Sequence, residues 1–207
     1  KGLLKTWAEG GPSRIWEAAG IGEGYSTVAI VGDRIYTTGA IDDDCVITAL
    51  DMEGKKIWTR TNGRAWYRSY PGTRSTPTIT DDGLLYHESG NGNLVCLKAD
   101  SGEVVWSTNI LEEFDGRNIM WGLAESPLVV GDKVICTPGG EEVSMVALDR
   151  NTGKVVWKCT GAGDRPGYAS PILIEHQGLK QIVTAMSKSI VGVRASDGEL
   201  LWQYPHR

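Results

Sequence analysis

One frame of about eleven residues recurs four times in this chain and leaves little freedom for its fold. It is clearest from Ala147 to Trp157, ALDRNTGKVVW; the residues ending at Trp106 read CLKADSGEVVW, those ending at Trp202 read GVRASDGELLW, and those ending at Trp58 read ALDMEGKKIW, one residue shorter. Each copy places a glycine, Gly54, Gly102, Gly153 or Gly198, four residues before its Trp. A small or apolar start, a polar turn of Asp, Asn or Ser, the glycine and an apolar run into Trp form the pattern of strand, tight turn, strand, which is a β-hairpin. Trp16, in SRIWEAAG, repeats the second strand without the first.

The five Trp positions are spaced by 42, 48, 51 and 45 residues. A period of about 40 to 50 residues with four short strands per unit belongs to radial β-propeller arrays, in which a blade cannot bury both faces without neighbours. The chain is therefore expected to be all-β, a single propeller over residues 1–207. It has four complete four-stranded antiparallel blades at approximately 26–60, 75–109, 125–160 and 169–204, and one extra outer strand at 14–18 that completes a blade begun elsewhere. Thr76-Pro77, Ser126-Pro127 and Ser170-Pro171 open three of the four inner strands. Proline cannot donate to a ladder, so it marks the edge strand that faces the central channel. From Thr27, Thr76, Ser126 and Ser170 to the closing Trp the chain runs 31, 30, 31 and 32 residues, whereas from each Trp to the next inner strand it runs 11, 18, 20 and 13. Variation is thus confined to loops on one face, and length variation on a rigid scaffold is where function resides.

The frame A-x-D-x-x-[ST]-G-x-x-x-W, matched best by Ala147, Asp149, Thr152, Gly153 and Trp157, resembles the tryptophan-docking repeat of quinoprotein-like β-propellers. That group includes pyrroloquinoline quinone (PQQ) alcohol dehydrogenases and BamB-type outer-membrane assembly lipoproteins. The resemblance runs from Trp16 to Trp202 and departs where Lys98 and Arg194 replace the Asp. It implies an eight-bladed ring of which this chain is about half, with the remaining blades supplied by a longer parent chain or a second copy. It also implies a periplasmic or extracellular location, although the chain carries no signal of its own; a start at Lys1 fits removal of a leader. Two functions follow from the resemblance. The preferred one is a non-catalytic binding or assembly scaffold. The alternative is a PQQ-dependent dehydrogenase oxidising alcohols or sugars, its quinone in the channel between an aromatic and a disulfide of adjacent cysteines, with calcium held by carboxylate and amide groups. Cys45, Cys96, Cys136 and Cys159 include no adjacent pair and no calcium triad is assignable, so PQQ and calcium stand only as what the family implies.

A formal net charge of −5 and a pI near 5.3 exclude a general phosphate-backbone binder, so no nucleic-acid partner is expected. No apolar run is long enough for a membrane span. The four cysteines lack zinc-ligand spacing and read as buried thiols within strands. Glycine spacings in GIGEGY and GAGDRPG lead from strand to strand with no helix to hold a pyrophosphate. Asp42, Asp43 and Asp44, like Glu141 and Glu142, read as solvated hairpin turns rather than a calcium loop. His87, His176 and His206 share no motif with a nucleophile.

The long loops hold the candidate site. Residues 61–75 interleave Arg64, Arg68 and Arg74 with Trp66, Tyr67 and Tyr70; residues 110–125 carry Arg117, Asn118 and Trp121; Tyr25 and Tyr168 stand two residues before their inner strands. All directly precede inner strands, which run the same way along the channel, so these eleven residues are expected at one mouth as an aromatic and arginine-rich rim. Such a rim suits a protein partner or a small anionic or sugar-like ligand, with Arg68 and Arg74 as its main anion-binding groups. The bland alternative is that the aromatics anchor their own loops.

Overall fold

A computed structural model describes residues 5–206. Its strands form four separate antiparallel sheets, each a meander in chain order. Blade one holds β1 (Ala29–Val31), β2 (Arg34–Ile41), β3 (Asp44–Asp51) and β4 (Lys56–Arg64). Blade two holds β5 (Thr78–Ile79), β6 (Leu84–Glu88), β7 (Asn93–Lys98) and β8 (Val104–Asn109), followed by the one-turn helix α1 (Ile110–Glu113). Blade three holds β9 (Leu128–Val130), β10 (Lys133–Cys136), β11 (Val143–Asp149) and β12 (Val155–Thr160). Blade four holds β13 (Ile172–His176), β14 (Leu179–Ala185), β15 (Ser189–Arg194) and β16 (Leu200–Pro205). Three inner strands start just after their proline, so the proline caps the edge rather than interrupting it.

The repeated hairpin closes by local polar chemistry. Asp149 Oδ1 accepts from the Asn151 and Thr152 amides and the Thr152 hydroxyl, and the Thr152 hydroxyl bond holds its carboxyl below the usual range. Where the frame departs from Asp, ion pairs span the turn instead, Lys98 to Glu103 at 2.8 Å and Arg194 to Asp197 at 3.0 Å. The departures in the motif are therefore exchanges of one turn closure for another. In all four blades the pairing then skips one residue before the Trp, namely Ile57, Val105, Val156 and Leu201. This β-bulge breaks the simple alternation read from the sequence and re-aims the indole.

Three of the repeat indoles reach the following blade. The Nε1–H of Trp58 donates to the Ala99 carbonyl at 3.1 Å, that of Trp106 to Arg150 at 2.9 Å and that of Trp157 to Ala195 at 3.3 Å. The rings lie over Gly102, Gly153 and Gly198, where a methyl group would fall 2.7, 2.8 and 2.5 Å from the Cε3 atoms. These glycines also have φ of 68°, 70° and 80°, so both backbone and packing exclude a side chain. Trp157 is buried, while Trp58 and Trp106 are half-buried, less enclosed than the repeat alone suggests.

Most of the core lies in three seams, with a small further cluster of Ala40, Cys45 and Ala65 in and just after blade one. Tyr36, Ile47, Leu85 and Leu97 join blades one and two; Tyr86, Cys96, Val134 and Leu148 join blades two and three; Ile135, Ala147, Trp157 and Val193 join blades three and four. The two ends of the arc stay uncovered, with Val28, Ile30 and Val31 exposed on blade one and Ile172, Leu173, Ile174 and Tyr204 exposed on blade four. One expectation is corrected: residues 14–18 form no strand, and residues 11–20 are irregular. The other three strands of the sheet that this segment would complete are not among the described residues. Trp16 still lies over Gly54, where a methyl would meet its Cε3 at 2.7 Å. All four cysteines are buried free thiols, on β3, β7, β10 and β12. Among the described residues no helix is long and apolar enough to cross a membrane.

Candidate aromatic basin at the loop face

The long loops pack against the turns between second and third strands, which fixes them on one face. Arg64 pairs with Asp43 at 3.0 Å, the Tyr67 hydroxyl donates to the Asp42 carbonyl, and Arg117 pairs with Glu141 at 2.9 Å. The two acidic turns are thus counter-charges for loop arginines. Asn109, before the short helix α1, accepts from the Leu111 and Glu112 amides and so starts the second loop with a capped turn.

Tyr25, Tyr70, Arg74, Trp121, Ala124 and Tyr168 line one open cavity of about 480 Å³. The four aromatics come from four separate segments: Tyr25 from the lead into β1, and Tyr70, Trp121 and Tyr168 from the three connections between blades. Trp121 meets Tyr70 edge-on, with centroids 5.9 Å apart and planes at 87°, and meets Tyr168 at 5.1 Å and 33°. The Tyr168 hydroxyl also accepts from the Trp121 amide at 3.3 Å. Rings held at fixed tilts by one another need little further ordering to receive a ligand.

Arg74 supplies the cation. Its guanidinium lies 5.6 Å from the Tyr25 ring centroid and 5.9 Å from that of Trp66. It donates to the carbonyls of Gly72 at 2.7 Å, Ser69 at 3.0 Å and Tyr70 at 2.5 Å. Three of the five guanidinium N–H groups are therefore engaged by its own loop, leaving two for a ligand. Arg74 is at once a strut and a charge, so its removal affects the loop as well as any bound anion.

The remaining candidates are placed elsewhere. Trp66 is buried, donates to the Ser69 carbonyl at 3.0 Å and packs under Gly90 and Gly122. Asn118 donates to the Gly90 carbonyl at 2.9 Å. Arg68 is exposed and lies 5.9 Å from the Trp66 centroid. Arg64, Trp66, Tyr67, Arg117 and Asn118 thus hold the loops, while Tyr25, Tyr70, Arg74, Trp121 and Tyr168 face the cavity. The glycines of GIGEGY serve backbone contact: Glu23 bridges Ala40 and Gly24 bridges Thr73.

Two features escaped the sequence. The Ser and Thr residues noted for their prolines link the blades: the Thr27 amide donates to the Thr76 hydroxyl at 3.1 Å, Thr76 to Ser126 at 3.1 Å and Ser126 to Ser170 at 2.8 Å. Just beneath Ala124, the buried carboxyls of Glu88 and Glu125 approach each other and Cys136 across a seam. No motif joins these three residues, since each comes from a different connection or strand.

A quinone bound with calcium requires carboxylate and amide oxygens around the ion. The cavity lining offers phenols, an indole and a guanidinium but no carboxylate, and a fixed guanidinium disfavours a dication beside it. The cysteines stand on three blades with no adjacent pair. The residues present do not fit that cofactor pair.

An arc of four-stranded blades, joined indole over glycine and bearing elaborated loops on one face, is a β-propeller segment of the PQQ-like repeat class. Residues 43–207 match the family described as outer membrane protein assembly factor BamB, and the chain belongs to that family. It is 30% identical over 157 residues to 1-butanol dehydrogenase (quinone) of Thauera butanivorans, covering 68% of this chain and 25% of that protein. BamB from Moraxella catarrhalis superposes with a TM-score of 0.57 at 17% identity, covering 87% of this chain and 48% of that one. Quinohemoprotein alcohol dehydrogenase from Comamonas testosteroni superposes with a TM-score of 0.65 at 19% identity, covering 89% and 35%. These structural likenesses show the fold, and the chain spans between a quarter and a half of the length of these three proteins.

Proposed function

We propose that the chain is a non-catalytic propeller segment that binds a protein partner at its aromatic basin. The observation that carries this reading is the basin itself: three exposed aromatic side chains that brace one another, with Tyr25 set against the same half-used guanidinium. Rigid aromatics around a cation are the composition of interface hot spots. A segment with an aromatic or aliphatic side chain next to an acidic one complements them, the apolar group between Trp121 and Tyr70 and the carboxylate on the free N–H groups of Arg74. Its family supports placement in the periplasm or outside the cell, and the uncovered flanks support completion of the ring by further blades, from a longer parent chain or a second copy.

The test is calorimetric titration with peptides that pair Phe or Leu with Glu. Trp121→Ala and Tyr168→Ala are expected to weaken binding tenfold or more with little change in melting temperature. Unchanged affinity in both variants sinks the basin as the site. A second arm supplies PQQ, calcium and a primary alcohol and follows dye reduction; turnover above background favours the dehydrogenase reading instead.

A further inference from the structure

We propose that Glu88, Glu125 and Cys136 form a metal site that staples blade two to blade three, taking a borderline-soft divalent ion such as zinc. Glu88 ends β6, Glu125 stands three residues before β9, and Cys136 ends β10. One ligand atom from each lies within 4.8 Å of the others, and all three residues are buried. Glu88 is 1% exposed and neither of its carboxylate oxygens has a hydrogen-bond partner. Glu125, by contrast, is held in place: its Oε1 accepts from the Thr137 amide at 2.6 Å and its Oε2 from the Thr137 hydroxyl at 2.5 Å.

This arrangement lacks positive charge. Among the described residues no Lys, Arg or His side chain pairs with either carboxylate. His87, next in sequence, has its ring at Asn62 on the blade-one side, with Nδ1 2.9 Å from the amide nitrogen. Two buried carboxyls without a cation are costly, and either a shared proton or a metal ion supplies what is missing. Oxygen, oxygen and sulfur donors suit zinc better than calcium or magnesium, which take oxygen alone. Zinc bonds of roughly 2.0–2.3 Å draw the three groups together by a few tenths of an ångström to about one. The site is independent of the basin: binding of a peptide and binding of zinc are separate measurements.

The experiment titrates metal-stripped protein with cadmium and with zinc. One equivalent of cadmium is expected to produce an ultraviolet thiolate-to-metal band, and zinc to raise the melting temperature by several degrees. Glu88→Gln, which retains shape and removes the unpaired charge, is expected to lose both responses while folding normally. Cys136→Ser is expected to lose the band and at least tenfold in zinc affinity. A wild-type protein with neither band nor melting shift assigns the missing charge to a shared proton and overturns the proposal. A band that survives in Cys136→Ser, or unchanged zinc affinity in Glu88→Gln, places the metal elsewhere and overturns it equally.

Discussion

The same Trp does different work inside the arc and at its ends. Trp157, between blades three and four, is 6% exposed and donates to Ala195 of the next blade, whereas Trp202 at the open flank is 38% exposed and turns back on its own sheet. Its Nε1–H meets Gln181 Oε1 at 2.8 Å, and its ring covers Gly192. Trp16, at the other flank, finds its glycine but is 41% exposed. The repeat therefore encodes half of a contact, and a neighbouring blade supplies the burial. With no following blade among the described residues, the Trp202 indole satisfies its donor locally and stays wet on one side.

The sharpest test of this contrast is truncation. Trp157→Ala is expected to cost about 3–5 kcal/mol by denaturant unfolding, through cavity formation and loss of aromatic packing. Trp202→Ala is expected to cost less than about 1 kcal/mol, since its ring is only partly withdrawn from water. Equal losses would break the distinction between seam and flank.

A glycine pair separates backbone strain from indole contact. Gly198 and Gly178 have nearly the same φ, 80° and 79°, but a methyl at Gly198 meets Trp157 at 2.5 Å while one at Gly178 meets nothing within 4 Å. Gly178→Ala is expected to cost about 1–2 kcal/mol from the left-handed conformation alone. Gly198→Ala should add about 1–3 kcal/mol of overpacking. A smaller effect is expected in the hydroxyl chain: Ser126→Ala removes an acceptor for Thr76 and should cost about 1 kcal/mol, while Thr27→Ala, whose amide rather than hydroxyl makes the cross-blade bond, should stay within about 0.5 kcal/mol. Thermal melts of the two variants side by side decide it.

The smallest difference lies in thiol reactivity. Burial pushes Cys45 up to about 12 and Cys96 and Cys159 up to about 11, so the native protein should resist thiol reagents at neutral pH. Labelling then reports local opening. Cys45, in blade one beside an uncovered flank, should react a few-fold before Cys96 and Cys136 in the seam between blades two and three. Simultaneous labelling of all three would mean that the arc opens as one unit.

The blades were legible because their signal is a packing constraint at fixed register: a glycine stands four residues before the Trp of each copy, and Trp16, Trp58, Trp106 and Trp157 each lie over the glycine of the next copy. The missing strand at 14–18 was not, because strand formation needs partners and the sequence shows only the segment itself. In the loops, counting put these residues on one face without showing which way each turns. Trp66 is sunk under Gly90 and Gly122, and Arg64 is held by Asp43, through partners more than twenty residues away. Arg74 was read as a free anion-binding group, yet its own loop uses three of its donors. Glu88 and Glu125 stand 37 residues apart in unremarkable contexts, HESG and AESP, and only the seam brings them together.

The repeated links between blades, indole to carbonyl and amide to hydroxyl, have one direction. Trp58, Trp106 and Trp157 give their indole protons to the blade after them, and the Thr27, Thr76 and Ser126 amides give theirs to the next hydroxyl. During synthesis this polarity makes every blade wait for its successor. At roughly 5–20 residues per second, one repeat of 40 to 50 residues emerges in about 2–10 seconds, and for that interval the newest complete sheet presents an unquenched indole and an apolar face. The growing arc thus always carries one adhesive end that advances blade by blade from the ribosome. A factor that shields exposed apolar strands would meet the same surface at each step, so the repeat that organises the finished fold also sets the rhythm of its risk.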